Sequence, residues 1–432
     1  MGPPVVPSRL TTNPRVGCDR TRRHDLCVTL DPRVADRLDT LLAADDVTRP
    51  GVAVARQPVH TVYVPADRFT AATVGEWGAS ALAALDAHGP LPTAGGEADD
   101  VVDALVRAKL ATEPIEDLRI DFEDGYGSPG DGTEDTDARA AATALARAVA
   151  DGSAPRHTGI RMKSLESPDR RRGIRTLDLF LETVLAAGPL PGGFRVTLPK
   201  VTTVRQVEAM VELCAALDDE YGLPTLNFEL QVETPQAILG PDGTVPLARM
   251  IHCCAGRCAG LHFGTYDYSA SVGIAAAHQS LEHPAADYAK AVMQVAAAGT
   301  GTPVCDGSTN ILPVGDGQQV RAAWALHARL VRRSLERGFY QGWDLHPAQL
   351  PTRFAATFGF YRSGLPAAAG RLRAYRQRSS LGVLDEPATA KALARFLHRA
   401  VDCGAAELGE VSALAGVTPA ELGDLAAGVG SS

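Results

Sequence analysis

Residues 226–233 read LNFELQVE, with Asn227, Glu229, Gln231 and Glu233 polar at every second position and apolar residues between them. That period-two pattern predicts a β-strand with one apolar face, and Glu233 ends it. The next strand-like run, GLHFGTYD at 260–267, ends in Asp267. Two carboxylates at the ends of adjacent strands reach one hard divalent cation. Mg²⁺, or Mn²⁺ in its place, accepts one or two carboxylates, keeps waters and leaves positions for substrate oxygens. Arg161, in GIRMKSL, offers a permanently charged flat fork for a carboxylate or an enolate oxygen. Glu123 and Asp124, in LRIDFED, supply carboxyls for proton transfer or for holding that arginine. Each residue also has a plainer use. Glu233 could pair with Arg195 or Lys200, Asp267 could cap a helix, and Arg161 could pair with Glu123. Lys200 would form a Schiff base only if desolvated to a lowered pKa.

Eight strand-like runs must position these residues: 60–66, 118–124, 159–165, 194–200, 226–233, 260–267, 302–307 and 342–347. Ala- and Leu-rich segments with helical spacing separate them, one of them capped by Thr202 or Thr203 and ended by Gly222. Strand–helix alternation repeated eight times predicts an α/β fold, a (β/α)8 TIM barrel, which typically takes about 250 residues. An N-terminal extension over 1–56, a barrel over 57–350 and a C-terminal helical tail over 351–432 are expected. In such a barrel Leu118, Ile120 and Phe122 face the helices. Arg119, Asp121, Glu123, Arg161, Lys163, Arg195, Asn227, Glu229, Gln231 and Glu233 face the lumen, most of them in ion pairs. The active site belongs on the C-terminal rim.

The bulk properties exclude several classes. With 45% apolar and 22% charged residues, the 432-residue chain has an ordinary globular composition. A net charge of −9 argues against nucleic-acid binding. No run of about 18 apolar residues exists, so no membrane span is expected. The Pro- and Arg-containing start lacks the apolar core of a secretory signal, and a cytoplasmic location is expected. Of the eight cysteines, three lie in HCCAGRC at 252–258, where the spacing does not suit zinc and packing at a helix end is expected.

The order of short words along the chain is VYVPA, IDFEDGYG, IRMKS, TLPKV, VETPQA, FGTYDYSASVG and GWDLHPAQL. In that order they resemble the HpcH/HpaI aldolase and citrate lyase beta-subunit family, which includes malyl-CoA lyases. The resemblance implies that Glu233 and Asp267 hold Mg²⁺ and that Arg161 contacts the keto-acid or enolate oxygen. It also implies that the amides of Thr265 and Tyr266 receive a substrate carboxylate. A 2-oxo acid or acyl-CoA as small-molecule partner, and a homo-oligomer, are implied with it. Asp124 stands where the aldolase branch carries histidine, which favours the lyase branch. The segment PTRFAATFGFYRSGLP at 351–366 does not match the thioester-binding region of the lyases.

The reading that follows is a Mg²⁺-dependent carbon–carbon lyase or aldolase working through a metal-stabilised enolate. Phosphotransfer from phosphoenolpyruvate on the same barrel, and a non-catalytic metabolite-binding role, are the alternatives.

Overall fold

A computed structural model describes residues 32–47, 56–92, 99–377 and 386–428. Helix Pro32–Val47 belongs to a unit of its own, residues 1–50, and the rest of the chain forms a second unit. The Pro- and Arg-containing arm lies outside the described residues.

The second unit is built on eight parallel strands. They are β1 (His60–Pro65), β2 (Asp117–Asp121), β3 (His157–Arg161), β4 (Phe194–Leu198), β5 (Asn227–Val232), β6 (Cys258–Phe263), β7 (Val304–Cys305) and β8 (Gly342–Asp344). Hydrogen-bonded neighbours run β7-β6-β5-β4-β3-β2-β1-β8. Beyond the end of β7 the Asp306 amide donates to the Gln341 carbonyl at 2.8 Å, and the Trp343 amide donates to Gly307 at 3.2 Å. These two bonds close the barrel. Parallel neighbours need crossovers, and the Ala- and Leu-rich segments supply them as helices. Helix Val204–Tyr221 starts in a Thr203–Gln206 capping box and stops at Gly222, whose φ of 63° suits glycine.

The strands are shorter than the alternation suggests at their C-terminal ends. Pairing stops at Asp121, Arg161, Leu198, Val232 and Phe263, and the chain then turns into the rim loops. Leu118, Ile120 and Phe122 are fully buried in the apolar core, as are Phe228 and Leu230. Arg119, Asp121, Glu229, Gln231 and Glu233 are also buried. Lys163 departs from the lumen assignment because β3 ends two residues earlier and the alternation lapses. Its ammonium donates to the carbonyls of Phe122 and Gly127, each at 2.7 Å, and lies 3.2 Å from Glu134 in the helix Asp131–Ala150. It therefore staples the loop after β2 to a helix.

The segment after β8 is one helix of 27 residues, Leu350–Arg376. Asp344 ties its start to the barrel. Its carboxylate accepts from Arg353 and lies within 3.1 Å of a ring nitrogen of both His60 and His327. Helices Pro387–Asp402, Leu408–Ala415 and Pro419–Ala427 follow, and their apolar faces join the same core. Cys253 and Cys254 lie at the end of helix Pro246–Cys253, each with Sγ against the Met250 carbonyl. Among the described residues no helix is long and apolar enough to cross a membrane.

Candidate active site at the C-terminal mouth of the barrel

The lower lumen is occupied by a closed ion-pair network. Arg119 donates Nε to Glu229 Oε1 at 2.8 Å and Nη2 to Oε2 at 2.7 Å, and its Nη1 donates to Asp117. His262 Nε2 lies 3.1 Å from the same glutamate. Burial alone would raise the Glu229 pKa, but Arg119 and His262 override it and hold the carboxylate well below its usual range. These charges satisfy one another and are structural.

One layer higher, β2 and β3 pair Asp121 with Arg161 in register. The carboxylate takes the fork: Nε to Oδ1 at 2.7 Å and Nη2 to Oδ2 at 2.6 Å. Asp121 also accepts the amides of Glu123 and Gly125, so it shapes the loop that carries the two further carboxyls. The guanidinium lies 4.8 Å from the Tyr63 ring centroid, and its Nη1 stays directed at Glu123 (3.3 Å) and Gln231 (3.4 Å). Arg161 is thus a buried cation gripped by Asp121 along one edge, with Nη1 directed at Glu123 and Gln231. Its pairing with Asp121 was legible only through strand register, because the two residues are 40 apart in sequence.

The remaining carboxylates converge on Lys200. Its ammonium contacts Glu123, both oxygens of Asp124 (2.9 and 3.1 Å) and Asp267 (3.1 Å). Its backbone amide donates to Glu233 Oε1 at 2.8 Å, and its φ of 52° lies in the left-handed region, unusual for a non-glycine residue. With this many carboxylates around it, Lys200 is held protonated, which removes the free amine a Schiff base needs. Glu233 is 2% exposed, and its other oxygen accepts from Gln231. Burial, and then the charges of Glu123 and Asp267 against the opposing Lys200, push its pKa up to about 8. A Cβ on Gly264 would fall 2.3 Å from Glu233 Oε2, so the residue beside that carboxylate must be glycine.

Asp267 is the third residue of helix Thr265–Ser271 and does not cap it; Gly264 occupies the cap position. Thr265 and Tyr266 open the helix, where amides lack intrahelical acceptors. The Thr265 hydroxyl is buried without a partner, and the Tyr266 hydroxyl accepts the Asn310 amide at 2.6 Å. His346 Nδ1 accepts the Ala348 amide at 3.1 Å and so caps the turn after β8.

Glu123 and Asp124 are pushed in opposite directions. Burial, with Asp124 adding to it, raises Glu123. Burial would also raise Asp124, but its hydrogen bond to Lys200 and the nearby Arg161 lower it. Adjacent carboxyls driven apart in this way suit one proton carrier and one permanent anion.

Among the described residues, no three His, Cys, Asp or Glu side chains are gathered so as to hold a metal unaided. A hard cation that keeps its waters does not require three. Three carboxylates border the Lys200 ammonium, while the most buried of the four, Glu233, takes only the amide of that residue and the Gln231 side chain. That donor set fits Mg²⁺ at Glu233 and Asp267.

Comparison with known proteins gives a family match and fold likenesses. Residues 41–428 match the family described as Domain of unknown function (DUF6986). No curated protein matches the chain. Among solved structures, CitE from Mycobacterium tuberculosis, in complex with magnesium, acetoacetate and coenzyme A, is 18% identical with a TM-score of 0.46. That alignment covers 79% of this chain and 98% of CitE. Haloferax volcanii malate synthase, as a magnesium/glyoxylate complex, is 13% identical over 87% of this chain and 99% of its own, with a TM-score of 0.46. An HpcH/HpaI aldolase/citrate lyase family protein from Burkholderia cenocepacia is 15% identical over 69% of this chain and 91% of its own, with a TM-score of 0.37. The family match runs through every strand of the barrel and through the C-terminal helices, and the chain belongs to the DUF6986 family.

Proposed function

We propose that this chain is a Mg²⁺-dependent carbon–carbon lyase or aldolase acting on a 2-oxo acid or a 3-hydroxy acid, free or as an acyl-CoA. The observation that carries the proposal is the convergence of Glu123, Asp124 and Asp267 on the Lys200 ammonium, with Glu233 bound to the amide of the same residue and the Arg161 guanidinium 3.3 Å from Glu123. The order of the motif words supports the same reading.

Glu233 and Asp267 would hold the ion, which when bound polarises a carboxylate–carbonyl pair as a Lewis acid. Glu123, with its raised pKa, takes the hydroxyl proton in the cleavage direction. The carbon–carbon bond then breaks and its electron pair collects as an enolate on the departing fragment. Arg161 Nη1 faces that developing oxygen charge, while Asp121 fixes the fork from behind. The amides of Thr265 and Tyr266 receive the substrate carboxylate. Asp124 stays ionised. A homo-oligomer in the cytoplasm completes the proposal.

Enolate formation is testable without the full substrate. Pyruvate incubated with the protein and Mg²⁺ in D₂O is expected to gain deuterium at its methyl group, followed by NMR. Uptake should vanish with a chelator and slow strongly in Glu123→Gln. Absence of exchange with pyruvate and with longer 2-oxo acids would overturn the lyase reading. In the same assay Arg161→Lys is expected to lose about 10²–10³ in rate, the usual cost of one oxygen-stabilising donor. Lysine keeps the charge but loses both the fork on Asp121 and the edge facing Glu123. Mn²⁺ affinity should stay within a few-fold, and exchange at the wild-type rate would make Arg161 purely structural.

A further inference from the structure

The position bordered by Glu123, Asp124 and Asp267 is taken by a group of this chain, the Lys200 ammonium. No other lysine or arginine side chain reaches Asp267 among the ion pairs of the described residues. The backbone of Lys200 is equally committed. Its amide holds Glu233, and its left-handed φ turns the side chain back over the mouth. One residue therefore grips both carboxylates assigned to the metal, one through its main chain and one through its side chain.

We propose that Lys200 is a built-in counter-ion that occupies the cation seat when metal is absent and swings out when a divalent ion enters. The proposal rests on the metal-site reading above and adds to it the identity of the group that the metal displaces. Two like charges cannot share the seat: an ammonium about 3–4 Å from a divalent ion is strongly repelled in a half-buried site. Without a counter-ion, clustered carboxylates repel one another and strain the mouth. The side chain has room to leave, because it is 31% exposed. Lys200 thus makes the metal-free protein stable at the expense of metal affinity.

Two measurements on the full-length protein test this. Lys200 is one of five lysines; Lys109, Lys163 and Lys290 are buried and Lys391 is half-buried, so Lys391 serves as an internal reference. Amine acetylation read by mass spectrometry should label Lys200 several-fold faster with saturating Mg²⁺ than with chelator, while Lys391 is unchanged. Labelling that is unaltered or slowed by Mg²⁺ would overturn the displacement. Secondly, Lys200→Met should bind Mn²⁺ about tenfold or more tightly by electron paramagnetic resonance, since a competing cation is gone. Its metal-free melting temperature should fall and be restored by Mn²⁺. Equal or weaker Mn²⁺ binding in Lys200→Met would overturn the counter-ion role. Failure of the wild type and the variant alike to bind Mn²⁺ would instead remove the metal site itself.

Discussion

Glu233→Gln is expected to lower Mn²⁺ affinity by more than about 100-fold, beyond the upper end of what removing a mere supporting partner costs. Deuterium exchange should be lost with it. Glutamine keeps the shape and still accepts the Lys200 amide, so the fold should survive. A second signature separates this residue from a structural ion pair. Its folded pKa stands near 8, raised from 4.5 chiefly by burial. For a carboxyl with a raised folded value, stability is fully present below the unfolded pKa and is lost as pH rises through the folded one. In chelator, the wild-type melting temperature should therefore decline between about pH 5 and pH 8 relative to Glu233→Gln. Mg²⁺ should flatten the decline, because the ionised carboxylate then has a partner. A wild-type profile that parallels the variant throughout, or unchanged Mn²⁺ affinity in Glu233→Gln, would end the assignment.

Arg119→Met should be the most damaging single change to the fold. The guanidinium is fully buried between Asp117 and Glu229, and removing it takes the arginine charge from both, leaving Glu229 with His262 and Thr197 and Asp117 with Thr61. Breaking a buried pair by deleting one partner costs about 3–5 kcal/mol. Urea denaturation should show that loss in the midpoint. The double variant Arg119→Met/Glu229→Gln should recover a substantial part of it, since one buried charge is gone. A loss below about 1 kcal/mol would mean that the network is not coupled as its distances indicate.

The barrel was legible because alternation is a physical consequence of a sheet with one face against helices. Leu118, Ile120, Phe228 and Leu230 lie where period two places them. The rule fails where pairing stops. Lys163 follows Arg161 in phase but lies beyond the last paired residue, so its side chain answers to a loop carbonyl and a helix glutamate instead. The site shows the same division. Glu233, Asp267, Arg161, Glu123 and Asp124 are visible as strand-end residues in sequence, and the structure brings them to one mouth. The grip of Asp121 on Arg161 depends on the register between two strands, and the convergence on Lys200 depends on a left-handed backbone turn. Neither leaves a mark in composition or spacing. The segment 351–366 is different again. Phe354, Phe358, Tyr361 and Leu365 recur at helical spacing and are all buried, a signal that motif matching passes over.

The 27-residue helix Leu350–Arg376 bears on how such a chain can change over generations. Its first turns serve as the eighth helix of the barrel, anchored by Arg353 on Asp344, and its last turns pack among the C-terminal helices. Modular exchange needs a joint at which two parts separate without exposing a core. Here any crossover between barrel and tail would fall inside a continuous, buried helix. Insertions there would rotate the tail by about 100° per added residue relative to its seat. A change of length at this joint would therefore disturb the barrel and the tail together, because both are seated on the same helix.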